Sequence, residues 1–139
     1  MSEAKDDVVL LTRFKDFVIC STVTKSFYKE FLLLKFSVEL FHTCKWVISC
    51  DLESCRKLEK FNNVETILNI KEEGDHVSGT DASAKSFVDV VMTKFDSCRY
   101  AIDKYGYGFF LDCDMIVVNP FTEKFFKLLH SEAVDMVAT

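Results

Sequence analysis

Short apolar runs alternate along this chain with longer segments of helical periodicity, and this alternation constrains the fold more than any other feature. Runs with the length of strands cover 14–21, 45–50, 64–70 and 107–111. Helical segments, with apolar residues at three- and four-residue steps or with a charged helical pattern, cover 26–42, 52–61 and 84–104. Strands that alternate with helices predict an α/β fold with a mainly parallel sheet flanked by helices.

The remaining segments and the composition agree with this prediction. The polar stretch 71–83 is typical of a loop, Thr122 is placed to cap a helix that runs through His130, and 134–137 has the pattern of a further strand. The chain has 139 residues, 49% of them hydrophobic, but only four Gly and one Pro, which disfavours turn-rich all-β folds. We predict one domain over 1–139, with 1–12 as a flexible N-terminal tail.

The charge and the chain start bear on partners and location. The net charge of -5 gives no broad attraction for nucleic acid or for an anionic membrane surface. Residues 1–7 are polar and acidic, unlike a secretory signal, and no apolar run approaches the ~18 residues of a membrane span. We expect a cytoplasmic protein with no nucleic-acid partner and no membrane span.

The six cysteines form no Cys-x-x-Cys pair, so zinc-ribbon and thioredoxin-like sites lose their main support. Most of them lie inside apolar runs, where cysteine behaves as a small buried hydrophobic residue. The pattern therefore predicts reduced thiols in the core rather than metal ligands or disulfides.

Two carboxylates, Asp112 and Asp114, follow directly after the strand at 107–111. In parallel sheets ligands bind at the carboxyl ends of the strands, which here are Ser21-Thr22, Asp51 and 112–114. If the backbone stays extended, both carboxylates point to one side and Cys113 to the other. Two close carboxylates repel one another unless a cation lies between them, and Mg²⁺ or Mn²⁺ binds one or two carboxylates together with phosphate oxygens. The pair thus indicates a metal held for a phosphorylated ligand.

This part of the chain resembles a known family. Residues 110–117 resemble the Phe-Leu-Asp-x-Asp signature of nucleotide-sugar glycosyltransferases with the GT-A fold. Residues 92–95 are similar to the Thr-Lys helix that precedes this signature in glycogenin-like transferases, and 119–121 match the end of the same block. Residues 18–22 resemble the first strand and its nucleotide-binding tip. The resemblance implies a Rossmann-like GT-A fold that uses a UDP- or GDP-sugar.

The resemblance also implies roles for individual residues. Asp112 and Asp114 would bind Mn²⁺ or Mg²⁺ on the donor diphosphate, and Asp112 would also reach the ribose. Lys94 would contact the sugar or a phosphate, and the base and ribose would be bound by a set of strand-end residues: Ser21, Thr22 and Asp51. The metal acts as Lewis acid and template for the leaving diphosphate, helped by the Lys94 charge.

The chain departs from the family in its length after the aspartate pair. Only 25 residues follow Asp114, whereas the family's second half builds the acceptor pocket and supplies a histidine ligand, a role that His130 is too close in sequence to take. The resemblance therefore implies an N-terminal donor-binding half. We also expect self-association, through an uncovered strand at 134–137 and an apolar surface on the first helix: Leu32, Leu33, Phe36 and Leu40.

Two other functions compete with a transferase. A phosphatase of the haloacid dehalogenase type also ends a strand in Asp-x-Asp, with the first aspartate as nucleophile. That family has Thr or Val where Ile116 stands, and it needs a longer tail. The second alternative is a module that binds a nucleotide-sugar or a protein partner without catalysis.

Overall fold

The computed structural model of the protein describes residues 17–70 and 81–130, the side chains of 81–91 excepted. Four strands lie in this part of the chain: β1 (Phe17–Val23), β2 (Cys44–Cys50), β3 (Val64–Leu68) and β4 (Phe109–Phe110). A 3₁₀ turn at Lys25–Phe27 precedes the first of four α-helices: α1 (Tyr28–Glu39), α2 (Leu52–Leu58), α3 (Asp81–Tyr105) and α4 (Glu123–Leu129). The predicted strand at 134–137 and residues 71–80 of the predicted loop at 71–83 lie outside the described residues. The prediction of a loop is wrong for 81–83, because α3 already begins at Asp81.

The strands form one sheet in the order β3-β2-β1-β4, and all neighbouring pairs are parallel. Helices lie between strands that follow one another in the sequence, as the crossover connections of a parallel sheet require. The prediction of an α/β fold with a parallel sheet flanked by helices is confirmed.

The core has two parts because successive side chains of a strand point to opposite faces of the sheet. On one face, Phe17, Ile19 and Val23 of β1 pack with Trp46 and with buried residues of α1, α2 and α4. On the other face, Val18, Cys20 and Val47 pack against Ala101 of α3. The sheet is therefore covered on both sides, which explains its near-continuous apolar strands.

At the amino-terminal edge of the sheet, Phe17 is the centre of an aromatic cluster. Its ring lies 4.9 Å from that of Phe126, centroid to centroid, and four further rings surround it: His42, Phe109, Phe121 and Phe125. After β4 the chain returns across α1 to reach this cluster. The Val117 N–H donates to Ser37 Oγ (2.9 Å) and the Phe121 N–H donates to His42 Nε2 (2.9 Å). The two hydrogen bonds attach the returning segment to α1.

The predicted strand at 107–111 is reduced to two residues, and local chemistry explains why. Gly106 has a φ of +88°, which turns the chain sharply after α3. The Val18 N–H donates to the hydroxyl oxygen of Tyr107 (3.1 Å) rather than to a strand carbonyl. A Cβ at Gly108 would lie 2.8 Å from Cys20 Sγ and 2.9 Å from Ala101 Cβ, so only glycine fits this close approach. At 107 and 108, the hydrogen bond to the Tyr107 hydroxyl and the close packing at Gly108 thus take the place of strand pairing.

The outer surface of α1 agrees in part with the prediction for it. Leu33, Phe36 and Leu40 are more than half exposed, whereas Leu32 is partly buried and packs against the core. Self-association through this surface stays a prediction. Among the described residues, none of the helices is both long enough and apolar enough to cross a membrane.

Candidate functional site

The predicted ligand-binding residues that end the strands come together at the carboxyl edge of the sheet. In the β1–β2 pair, Thr22 lies opposite Ser49. Thr22 is one residue before the end of β1, and Ser49 is two residues before Asp51. On the other side of β1, the Leu111 N–H donates to the carbonyl oxygen of Cys20 (3.0 Å) and carries the pairing one residue beyond β4. Asp112 therefore lies beside the part of β1 that contains Ser21 and Thr22.

Within the part of the chain that the structure describes, several hydroxyl groups at this edge are buried without a hydrogen-bond partner. They are the hydroxyl oxygens of Ser21, Thr22, Thr24, Tyr28 and Ser54. A buried hydroxyl without a partner costs roughly 1–3 kcal/mol, and native proteins contain few of them. Their concentration at the end of β1 and at the starts of α1 and α2 is typical of a site that supplies donors and acceptors to a polar ligand or to ordered water.

Asp51 holds two loops of this edge together. Its Oδ1 accepts the Ser54 N–H (2.8 Å) as the N-cap of α2, and its Oδ2 accepts the Lys25 N–H (2.8 Å) from the turn after β1. The side chain is buried, and its negative charge faces the positive end of a helix dipole. Both oxygens already accept backbone donors, so the structure gives Asp51 a structural role, and its predicted contact with a base stays a prediction.

Asp112 and Asp114 lie in a turn rather than in an extended strand. The Met115 N–H donates to the carbonyl oxygen of Asp112 (3.2 Å), which closes the turn directly after the strand. The extended backbone on which the predicted strand alternation depends is therefore not present, because the ladder ends before Asp112. Both side chains are exposed, and among the described residues neither forms an ion pair or accepts a hydrogen bond through its carboxylate. Two free carboxylates fit the small number of protein oxygens that Mg²⁺ needs beside phosphate.

Cys113 faces the core, as the sequence predicts, but it does so from a turn and not from an extended strand. It is half-buried and packs against the α1 side of the core. Burial and the nearby charges of Asp114, Asp112 and Glu30 raise the pKa of its thiol to about 12. The Cys113 thiol is therefore protonated at neutral pH. The part of the chain that the structure describes contains no group of three or more His, Cys, Asp or Glu side chains placed to hold a metal.

Lys94 lies on α3 near the end of β4. Its ammonium nitrogen is 5.8 Å from the centre of the Phe110 ring and 5.9 Å from that of Phe95. The side chain is half-buried, and no carboxylate within the described ranges pairs with it. Lys94 thus brings a positive charge to the same end of β4 that carries the aspartate pair, on the α3 side of the sheet.

The structure also contains a disulfide that the sequence analysis did not predict. Cys50, the last residue of β2, is bonded to Cys55 in α2, with 5.8 Å between the two Cα atoms. The expectation of reduced thiols is wrong for this pair, because α2 begins immediately after β2 and folds Cys55 back onto the strand end. Such bonds persist mainly in oxidising compartments, so the bond does not support the predicted cytoplasmic location, which stays a prediction.

Sequence reasoning missed three of the buried hydroxyl groups: Thr24, Tyr28 and Ser54. The available signal was their position, since each lies within five residues of the end of β1 or β2. Ser54 also stands three residues after Asp51, the spacing at which an N-cap residue contacts the first turn of its helix.

Comparisons with known proteins give no relative for this chain: no protein-family model matches it, and no curated protein is significantly similar to it.

Proposed function

We propose that this chain binds a nucleoside-diphosphate sugar at the carboxyl edge of its sheet, and that it is the donor-binding part of a metal-dependent glycosyltransferase of the GT-A type. The observation that carries the proposal is the free, exposed pair Asp112 and Asp114 directly after β4, beside buried hydroxyls that have no partner. This combination of charges and hydroxyls suits a metal-bound diphosphate and a ribose or sugar.

Each residue has a defined part in the proposed site. Asp112 and Asp114 hold Mn²⁺ or Mg²⁺, which supplies Lewis-acid stabilisation of the leaving diphosphate. Lys94 offsets the negative charge that grows on that diphosphate when the sugar–phosphate bond breaks. Ser21 and Thr22 donate or accept hydrogen bonds toward the nucleoside, and Asp51 keeps the two loops around them in place.

A second candidate is a module that binds the nucleotide-sugar or a protein partner without transfer. The exposed apolar surface of α1, formed by Leu33, Phe36 and Leu40, favours it.

The test is a melting-temperature measurement with UDP, GDP and their sugars, with and without Mn²⁺. A ligand at ~100 times its dissociation constant should stabilise the protein by ~2.7 kcal/mol. We expect this stabilisation only with metal present, and we expect Asp114→Ala to abolish it without changing the fold. Asp103→Ala, which removes another exposed aspartate at the far end of α3, is the matched control and should respond like the wild type.

A nucleotide-release assay on the same samples separates the two candidates. Metal-dependent release of nucleoside diphosphate from a sugar donor supports the transferase, whereas binding without release supports the module. An unchanged metal-linked shift in Asp114→Ala would refute the aspartate pair as the metal site.

A further inference from the structure

Two free cysteines meet on the α3 face of the sheet. Cys20 of β1 is buried, and its Sγ lies 3.7 Å from the carbonyl oxygen of Ser97, the residue before Cys98. Cys98 packs against the buried cluster that contains Cys20. The bare backbone of Gly108 makes room for Cys20 Sγ between β4 and α3.

The two sulfurs differ in exposure and in charge. Cys98 is half-buried, whereas Cys20 is fully buried. The neighbouring Cys20 thiol and the positive charge of Lys94, four residues before Cys98 on α3, lower the pKa of Cys98. The neighbouring Cys98 thiol and burial raise the pKa of Cys20. A thiol that is partly accessible and favours the thiolate is the one that oxidants attack first.

We propose that Cys98 and Cys20 form a redox pair, in which Cys98 is the peroxide-reactive thiol and Cys20 resolves it to a disulfide between α3 and β1. The proposal does not depend on the proposed function. The disulfide would nevertheless join the two elements, α3 and β1, that carry the candidate site residues Lys94 and Ser21.

The chemistry balances with a hydroperoxide as the oxidant. The Cys98 thiolate attacks one peroxide oxygen, the O–O bond breaks, and the other oxygen leaves as an alkoxide or hydroxide that takes up a proton. Cys98 is then a sulfenic acid. The Cys20 sulfur attacks the Cys98 sulfur, the S–O bond breaks, and the hydroxyl leaves with the Cys20 proton as water. The two cysteines lose two electrons, which the hydroperoxide gains, and a dithiol reverses the bond by exchange.

Peptide mapping under non-reducing conditions tests the proposal, because trypsin separates the relevant cysteines. Cleavage after Lys and Arg leaves Cys20 in 16–25, Cys98 in 95–99, Cys44 in 36–45 and Cys113 in 105–124, while Cys50 and Cys55 share 46–56. After hydrogen peroxide treatment of the full chain, we expect a cross-linked species of 16–25 with 95–99. Peptides 36–45 and 105–124 should remain free, because Cys44 and Cys113 pack on the opposite face of the sheet from Cys20 and Cys98.

Two further measurements assign the roles. Cys20→Ser should leave a sulfenic acid on Cys98 that dimedone traps, whereas Cys98→Ser should leave Cys20 unoxidised. In the wild type, iodoacetamide at neutral pH should modify the half-buried Cys98 at least about tenfold faster than the buried Cys44, whose pKa burial raises to about 12, because each pKa unit changes the thiolate fraction about tenfold. This difference should disappear in guanidinium chloride. Equal alkylation of Cys98 and Cys44 in the folded protein, or peroxide treatment that yields no 16–25/95–99 species, would overturn the proposal.

Discussion

The two edges of the sheet are built in opposite ways. At the amino-terminal edge, aromatic rings surround Phe17, and the polar groups of the returning segment have partners in Ser37 and His42. At the carboxyl edge, buried hydroxyls such as those of Ser21 and Ser54 have none. The first edge contributes stability, whereas the second retains groups that reduce it. Local departures from good packing and hydrogen bonding are expected mainly at functional sites, and this difference is why we place the proposed function at the carboxyl edge.

The largest expected effect lies at the amino-terminal edge. Phe17→Ala removes a fully buried ring from the centre of the cluster and should lower the free energy of unfolding by ~3–5 kcal/mol, as core Phe→Ala changes do. Urea denaturation measures this loss. Phe95→Ala, which truncates a ring that is more than half exposed on α3, is the control and should stay within ~0.5 kcal/mol of the wild type. Equal losses for the two variants would contradict the assignment of the core.

A smaller effect is expected from Asp51, whose two carboxylate oxygens both accept backbone N–H groups at the carboxyl edge. Asp51→Ala leaves the Ser54 and Lys25 N–H groups without an acceptor and should cost ~1–2 kcal/mol. Asp51→Asn keeps one acceptor oxygen and should cost less. If Asp51→Ala were as stable as the wild type and lost only ligand binding, Asp51 would belong to the ligand site and not to its scaffold.

The pH dependence of stability tests the amino-terminal edge again. Burial lowers the pKa of His42 from 6.5, and its Nε2 must stay unprotonated to accept the Phe121 N–H. As the pH falls below 6.5, the unfolded chain therefore binds a proton before the folded chain does, and stability decreases. Denaturation at pH 7.5 and pH 5.5 should show this decrease, and His42→Gln should show a smaller one. A free energy of unfolding that increases from pH 7.5 to pH 5.5 in the wild type but not in His42→Gln would contradict this assignment.

The sequence predicts most of the fold because its signal is local. The helical repeats of α1 and α3 and the apolar runs of β1, β2 and β3 follow from periodicity, and Thr122 caps α4 as expected by accepting the Phe125 N–H (3.2 Å). The short β4 could not be predicted, since it depends on how closely Gly108 approaches Cys20 and Ala101. Such an approach is set by tertiary packing.

The candidate site is predictable in its location but not in its geometry. Asp112 and Asp114 follow a strand, as the sequence indicates, yet whether they lie in a strand or a turn depends on where the pairing with β1 ends. The Cys50–Cys55 bond likewise depends on the direction in which α2 leaves β2. Spacing in the sequence carries no information about that direction.

The most direct test of the contrast between the edges is Ser21→Ala, measured both for stability and for ligand binding. The Ser21 hydroxyl is buried and has no partner, so its removal should leave the free energy of unfolding unchanged or raise it by up to ~1 kcal/mol. In the same variant, the stabilisation by nucleoside diphosphate and Mn²⁺ should be reduced. A loss of stability of more than ~1 kcal/mol together with undiminished nucleotide binding would show that Ser21 serves the fold, and would contradict the assignment of the carboxyl edge as the ligand site.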